Sequence, residues 1–180
     1  MKDNKHLELK KIVEALLFVA AEPLTLEKIF DICSISEQKY NKEQILESIN
    51  ELIYEYSDKG FVLRPIAGGW QFFTSDKYTV FIERFCQPKI QQMSKAAMET
   101  LAIIAYRQPI TRQEIEDIRQ VCVDSMINKL LEKNLIHEVG RKDTLGKPIL
   151  YGTTNEFLRF LGLNSLADLP SFDNFLAQGE

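Results

Sequence analysis

The sequence predicts a mainly α-helical fold with small β-hairpins (α+β), in which one structural unit occurs twice. Apolar residues recur at helical spacing along most of the chain, and two pairs of short β-rich runs interrupt them. The phrase EALLFVAAEPLT at 14–25 returns as ETLAIIAYRQPIT at 99–111, and each copy continues into the pattern Pro-x-Thr-x-x-x-Ile, at 23–29 and 109–115. Because the copies lie farther apart than the roughly 20–50 residues of solenoid repeats, we expect two tandem domains.

The first unit is predicted to run in the order helix, helix, helix, hairpin, helix. Apolar spacing predicts helices over 7–20 and from Asn41 to about 56, with Thr25 as the N-cap of a short helix between them. The runs FVLRPIA and WQFFT flank Gly68-Gly69, which we interpret as the turn of a hairpin. The segment DKYTVFIERFCQ, at 76–87, predicts the closing helix.

The second unit repeats this order. Ser94 is the predicted N-cap of a helix that reaches about Tyr106, and Thr111 with Glu114 forms a capping box for the next, short helix. The remaining elements follow in chain order: a helix over about 123–133, the strand runs LIHEVG and PILYGTT around a polar tip at 141–147, and a last helix capped by Asn155.

Three helices closed by a β-hairpin form the winged-helix variant of the helix-turn-helix motif. We therefore expect two tandem winged-helix domains, the first over 1–88 and the second over 89–162, joined near 87–92. Residues 163–180 are expected to form a short C-terminal tail.

Composition indicates a globular protein and argues against several classes. Apolar residues make up 45% and charged residues 27%, and the net charge of −4 disfavours a protein whose main partner is a phosphate backbone. Cys33, Cys86 and Cys122 are far apart, so we expect a reducing, cytoplasmic location and three small buried side chains rather than a disulfide or metal site. The N-terminus lacks an apolar signal core, and no stretch reaches the ~18 apolar residues of a membrane span.

Catalytic and cofactor motifs are not evident in the sequence. GRKDTLGKP resembles a phosphate-binding loop, but its spacing departs by one residue and Pro148 stands where a metal-binding hydroxyl is needed. The two histidines, His6 and His137, are isolated from each other and from the cysteines. We therefore expect no enzyme, no cofactor and no metal, and a metal-dependent enzyme is only a third hypothesis.

Sequence-specific DNA binding, as in a winged-helix transcription regulator, is the main alternative, because such domains commonly place their third helix in the major groove. In the first domain this helix carries a row of acids opposite its apolar stripe, Glu43, Glu47, Glu51, Glu55 and Asp58. Phosphates would repel this row. The wing of the second domain offers Arg141, Lys142 and Lys147 for a weak contact with a DNA backbone.

Surplus apolar residues point to protein partners instead. The first helix of each unit is apolar on every side at 15–20 and 101–106, which is more than a single core-facing stripe requires. Central burial in its own domain is the alternative reading. We predict a partner-binding surface at Leu101, Ile104, Tyr106, Tyr151 and Phe157. We predict a dimer surface at Leu17, Phe18 and Phe61.

Three segments carry a resemblance to a known family: MSKAAMETLAIIAYRQPITRQEIEDIR, GRKDTLGKPILYGTTNEFLRFLGLNSLADLP and GGWQFFTSDKY. They resemble the bacterial segregation and condensation protein B (ScpB) family over about 8–170, with Leu161 standing where phenylalanine is usual. The resemblance implies two winged-helix domains and a non-catalytic homodimer, formed largely through the N-terminal domains. It also implies binding to the central region of the kleisin ScpA, and through it to the SMC ATPase, in chromosome condensation and partition at the nucleoid during cell division.

Overall fold

The computed structural model describes residues 2–35, 39–86 and 93–170. The chain divides into two compact units, Met1–Lys89 and Ile90–Glu180. The predicted junction at 87–92 and the part of the expected tail beyond Pro170 lie outside the described residues. Each unit is described by itself.

The first unit follows the predicted order of elements. Its elements are α1 (Lys2–Val19), α2 (Leu26–Cys33), α3 (Lys42–Glu55), β1 (Phe61–Ile66), β2 (Gly69–Thr74), a 3-10 turn (Asp76–Tyr78) and α4 (Thr79–Cys86). The predicted cap Thr25 is present, because its side chain accepts the backbone N–H of Lys28. Asn41 caps α3 in the same way and accepts the N–H of Gln44 at 2.8 Å. Local side-chain chemistry therefore sets where α2 and α3 begin.

The core of the first unit lies between α1, α2, α3 and the inner face of β1. Its buried side chains recur at helical spacing in each helix: Leu9, Val13 and Leu17 of α1, Ile29 and Cys33 of α2, Ile45, Ile49 and Leu52 of α3, and Leu63 of β1. The hairpin β1–β2 is antiparallel and closes the domain as a wing.

The turn of this hairpin is shifted by one residue from the predicted Gly68-Gly69 pair. Ala67 and Gly68, with φ of 49° and 76°, form the turn, and Gly69 is already the first residue of β2. A Cβ on Gly69 would lie 2.7 Å from the backbone carbonyl of Leu24, whose N–H and C=O bond with Trp70. Gly69 is therefore required by the close approach of another segment, not by the turn.

The second unit contains α5 (Lys95–Arg107), β3 (Ile110–Thr111), α6 (Arg112–Arg119), α7 (Asp124–Glu132), β4 (Ile136–Arg141), β5 (Ile149–Thr153), α8 (Asn155–Leu161) and a 3-10 turn (Leu166–Asp168). The capping box of Thr111 and Glu114 is present. The strand β3 was not predicted; it pairs with β5, so the sheet has the order β3-β5-β4. The N-cap of α8 is Thr154 rather than Asn155, because Thr154 is extended and accepts the backbone N–H of Phe157 at 3.2 Å.

The core of the second unit lies between α5, α6, α7, α8 and the sheet. Its fully buried large side chains are Leu101 and Ile104 of α5, Ile115 of α6, Leu130 of α7, Ile136 of β4 and Phe157 of α8. Both units thus have three helices followed by an antiparallel hairpin. The predicted fold class, mainly α with small hairpins in two winged-helix domains, is confirmed.

The cysteines differ from the prediction of three buried side chains. Cys33 is buried in the first core, and burial raises the pKa of its thiol. Cys86 and Cys122 are exposed, because Cys86 lies on α4, which has no buried residue, and Cys122 lies in the loop before α7. None of the helices that the structure describes is both long and apolar enough to cross a membrane.

A candidate protein-docking cleft in the second domain

Four of the five residues predicted to bind a partner lie in the core of their own domain. Leu101, Ile104, Tyr151 and Phe157 are all less than a tenth exposed, whereas Tyr106 is half-buried. Central burial therefore accounts for much of the all-round apolarity of α5. A partner can contact the buried residues only through an opening in the domain surface.

Such an opening is present beside α5. A cleft of about 250 Å³ lies between α5, α8 and the segment that follows α8. Three of the predicted residues, Leu101, Tyr106 and Phe157, line it, while Ile104 and Tyr151 do not. The other lining residues were not predicted, and they are Met98, Ala102, Ala105, Leu161, Leu163, Leu169 and Pro170.

The sequence of α5 explains why a cleft remains there. The residues of α5 that line the cleft are spaced by one helical turn or less, so they form one stripe along the helix. Ala102 and Ala105 contribute only methyl groups to this stripe. The small side chains leave a space that Leu or Phe at the same positions would fill. The two small residues in this stripe are the sequence signal that could have located the cleft.

The segment after α8, residues 163–170, forms one end of the cleft and is here called the strap. Gly162, with φ of 71°, ends α8, and the N–H of Leu163 bonds back to the carbonyl of Leu158 at 2.9 Å. The side chain of Leu169 packs against the core, and the hydroxyl of Tyr106 donates to the carbonyl oxygen of Pro170 at 2.6 Å. This first part of the expected tail is therefore attached to the second domain.

The chemistry of the cleft is apolar. Its lining consists of aliphatic, methionine, proline and aromatic side chains. The one polar side-chain group among them, the Tyr106 hydroxyl, is already bonded to Pro170. A site with this lining binds apolar side chains, and it lacks the charged or nucleophilic groups that catalysis requires.

The three residues predicted for a dimer surface are divided between core and surface. Leu17 is buried in the core of the first domain, because α1 places it beside α3. Phe18 is 74% exposed and Phe61 is 40% exposed. The ring of Phe61 stands 5.0 Å from that of Tyr56 and 5.4 Å from that of Phe72. Two of the three residues are therefore accessible to a second protein.

The basic wing of the second domain is exposed, and one of its cations, Lys142, forms an ion pair within the domain. The ammonium of Lys142 lies 2.6 Å from a carboxylate oxygen of Glu114, and Arg141 donates to the carbonyl of Lys147 at 3.0 Å. The Lys142 ammonium, followed by hydrogen bonds from Thr111, lowers the pKa of Glu114 to about 2. The charge of Lys142 is thus neutralised locally, which weakens the wing as a phosphate contact.

The acidic row on α3 is partly neutralised as well. Lys10 of α1 reaches both Glu51 and Glu55, and His6 lies 2.8 Å from Glu51. The hydrogen bonds from Lys10 and then His6 lower the pKa of Glu51. Glu43 and Glu47 stay exposed on the outer face. The outer face of α3 therefore keeps a negative charge that disfavours DNA.

One group of side chains in the described ranges has the spacing of metal ligands. Glu116, Cys122 and Asp124 offer ligand atoms within 4.8 Å of one another. The guanidinium of Arg112 bonds with Asp124 and lies 3.5 Å from Glu116, and these two carboxylates raise its pKa. Glu116 also accepts the N–H of Val123 at 3.1 Å. The carboxylates are therefore occupied by an arginine and a backbone N–H that join α6 to the start of α7.

Comparison with known proteins places this architecture in a family. The family model for the segregation and condensation complex subunit ScpB matches residues 11–172. The chain belongs to the ScpB family. Membership makes it an accessory subunit of the chromosome segregation and condensation complex.

Individual ScpB relatives match over most of their length. Segregation and condensation protein B of Desulforamulus reducens is 48% identical over 173 residues, which cover 95% of this chain and 93% of that protein. The same protein of Clostridium perfringens is 43% identical, covering 98% of this chain and 90% of its own length. The crystal structure of ScpB from Mycobacterium tuberculosis is 32% identical, covering 88% of this chain and 97% of that one, with a TM-score of 0.40.

Proposed function

We propose that this chain is the homodimeric, kleisin-binding subunit of a bacterial SMC–kleisin condensin, acting in chromosome condensation and partition during cell division. In this role it has no catalytic step and no cofactor, and it resides in the cytoplasm at the nucleoid. The kleisin ScpA would link it to the SMC ATPase. The observation that carries the proposal is the apolar cleft of the second domain in a member of the ScpB family.

The cleft suits a peptide better than a small molecule. Its volume of about 250 Å³ is below the roughly 300–1,000 Å³ of typical ligand pockets. A groove between two helices can take anchor side chains from an amphipathic segment laid across it. The central region of a kleisin would supply such apolar anchors above Ala102 and Ala105, with Leu101 and Phe157 at the floor.

The first domain supports the dimeric part of the proposal. Phe18 and Phe61 expose aromatic surface that the domain itself does not cover. Aromatic side chains are enriched at protein interfaces and carry much of their binding energy. Their exposure favours a role in which the first domain binds a protein.

DNA contact is proposed to be weak or indirect. Lys142 is held by Glu114, and the exposed face of α3 carries Glu43 and Glu47 where a recognition helix would meet phosphates. A winged-helix transcription regulator would need the opposite charge on that face. The structure therefore favours the protein-binding function over the DNA-binding alternative.

The decisive experiment measures binding of the full chain to the central segment of the kleisin by isothermal titration calorimetry. Ala102→Glu places a charge inside the apolar cleft, so it should weaken binding at least ~10-fold. Asn128→Glu adds the same charge to an exposed position of α7 outside the cleft and should bind as the wild type does.

Two results would contradict the proposal. If the wild-type protein does not bind the kleisin segment, the kleisin-binding function is contradicted. If the Ala102→Glu and Asn128→Glu proteins bind equally well, the cleft is not the binding site. Preference for one DNA sequence over random DNA at physiological salt would instead support the transcription-regulator alternative.

A further inference from the structure

The helix α4 of the first domain is exposed along its whole length. None of its eight residues is buried. Phe81 is 72% exposed and Phe85 is 87% exposed, and both belong to a helix in which half of the residues are large and apolar. In the ranges that the structure describes, no residue of α4 takes part in either core.

Such a helix needs a covering surface to be stable. Isolated helices shorter than roughly 12–15 residues are marginal in water, because nucleation is costly and packing supplies most helical stability. Within the described residues, the local support for α4 includes the preceding 3-10 turn and a 2.9 Å bond from the Thr79 hydroxyl to the carbonyl of Asp76. The apolar side chains of α4 should therefore be buried against something outside the described part of its own domain.

The side chains that need covering form one stripe. Phe81, Ile82 and Phe85 of α4 are spaced at i, i+1 and i+4, so they face the same side of the helix, and Tyr78 of the preceding 3-10 turn stands three residues before Phe81. Val80, although 76% exposed, points to the opposite side. The α4 stripe is defined here as these four residues.

The α4 stripe adjoins one of the residues already predicted for the dimer surface. The N–H of Ser75, at the start of the turn into α4, bonds to the carbonyl of Gly60 at 2.9 Å. Phe61 follows Gly60 directly and is 40% exposed. The stripe and Phe61 therefore begin at the same end of the β1–β2 hairpin.

The size of this combined patch matches what a stable interface requires. With about 200 Å² for each aromatic side chain, the exposed fractions correspond to roughly 500 Å² of apolar surface on each copy. A standard interface buries roughly 800 Å² per partner, of which a little over half is apolar. The stripe with Phe61 can supply that apolar share.

The charge of the segment permits it to face its own copy. Residues 76–86 carry Asp76 and Glu83 against Lys77 and Arg84, so the segment has no net charge within a chain whose overall charge is −4. A two-fold interface brings the same patch of both subunits together, which a strongly charged patch would oppose.

We propose that the α4 stripe is the surface on which a second copy of this chain docks. The inference rests on the homodimer of the proposed function and assigns its location. The apolar rings of one copy cover those of the other, and the association stabilises α4. Phe18 would lie at the margin of the interface or outside it.

The test measures the mass of the full chain by multi-angle light scattering over a range of concentrations. Phe81→Glu with Phe85→Glu should raise the dimer dissociation constant at least ~100-fold, because two aromatic anchors are lost and charges face each other. Val80→Glu adds a single glutamate on the opposite side of the same helix and should stay dimeric. If the double glutamate variant lacks the wild-type circular dichroism, Phe81→Ser with Phe85→Ser replaces it.

The outcomes distinguish the location of the interface from the existence of the dimer. A wild-type dimer, a monomeric double variant and a dimeric Val80→Glu protein would support the inference. A double variant that stays dimeric would overturn the inference while leaving the homodimer intact, as would equal dissociation of the Val80→Glu protein. A monomeric wild type would overturn both the homodimer and this inference.

Discussion

The hydroxyl of Tyr106 in α5 donates a 2.6 Å hydrogen bond to the carbonyl oxygen of Pro170, at the end of the strap. This bond joins the helix at one wall of the cleft to the chain that closes its end. A side chain from the first helix of the second domain thus holds a segment that follows the last helix.

Removal of this bond should loosen the strap without unfolding the domain. Tyr106→Phe deletes only the hydroxyl, and we expect a loss of about 1 kcal/mol in the free energy of unfolding. Amide hydrogen exchange should quicken in residues 163–169 and stay unchanged in α7. Tyr54→Phe, at a tyrosine that is 82% exposed in the first domain, is the control and should change neither quantity. Unchanged exchange in the strap would show that the Tyr106 hydroxyl does not hold it in place.

The close approach of Gly69 to Leu24 predicts that a larger residue at position 69 destabilises the first domain. A Cβ at residue 69 would lie 2.7 Å from backbone atoms of Leu24, so Gly69→Ala should lower the free energy of unfolding by about 1–3 kcal/mol. Urea denaturation followed by circular dichroism measures this change. Gly60→Ala is the matched control, because its Cβ would have no heavy atom within 4 Å. Equal stability of the two variants would contradict the contact.

The pair of Glu114 and Lys142 predicts a pH dependence. The folded-state pKa of Glu114 is about 2, below the ordinary value of 4.5. The carboxylate therefore stabilises the second domain at neutral pH, and this stabilisation is lost as the pH falls from about 5 through 2. Its magnitude is reduced by solvent screening, because both side chains are more than 40% exposed.

Replacement of the lysine tests the cause of that low pKa. Lys142→Met removes the largest contribution, so the pKa of Glu114 should rise toward 4.5 while the hydrogen bonds from Thr111 hold it below that value. A carboxylate NMR titration measures the shift. Lys147→Met removes a lysine of the same wing that forms no ion pair in the described ranges, and the pKa of Glu114 should then stay near about 2.

The floor and the rim of the cleft should respond differently to truncation. Phe157 is 1% exposed, so Phe157→Ala should cost about 3–5 kcal/mol of unfolding free energy by leaving a cavity. Leu161 is 40% exposed at the rim, and Leu161→Ala should cost well under that amount. Thermal unfolding of both variants measures the difference. A similar cost for both would mean that the rim is as tightly packed as the core.

Local signals in the sequence were enough to predict the order of elements. The sequence predicts Thr25, Ser94 and Thr111 as helix caps, because a cap depends on residues three positions away. The repeated phrase before each second helix predicted two domains of one architecture. The family resemblance was visible for the same reason, since it rests on contiguous strings of residues.

The strand β3 and the accessible side of α5 could not be predicted from the sequence, because they depend on tertiary contacts. The strand β3 has only two residues, so its pairing with β5 depends on a partner some 40 positions away rather than on its own pattern. Apolarity alone does not distinguish a core side from a cleft side in 101–106, because both sides are apolar and the two alanines of the cleft side differ only in size. The structure divides them, placing Ile104 in the core and Ala102 at the cleft.

The helices, most of their caps, the two winged-helix units and the family could thus be predicted from the sequence, because each follows from neighbours along the chain. Which apolar residues are accessible depends on tertiary packing. Leu17 and Phe18 are adjacent and both apolar, yet one is 1% exposed and the other is 74% exposed. Their difference arises from the 100° step of the helix and from the position of α3, and the second of these is a property of the folded domain.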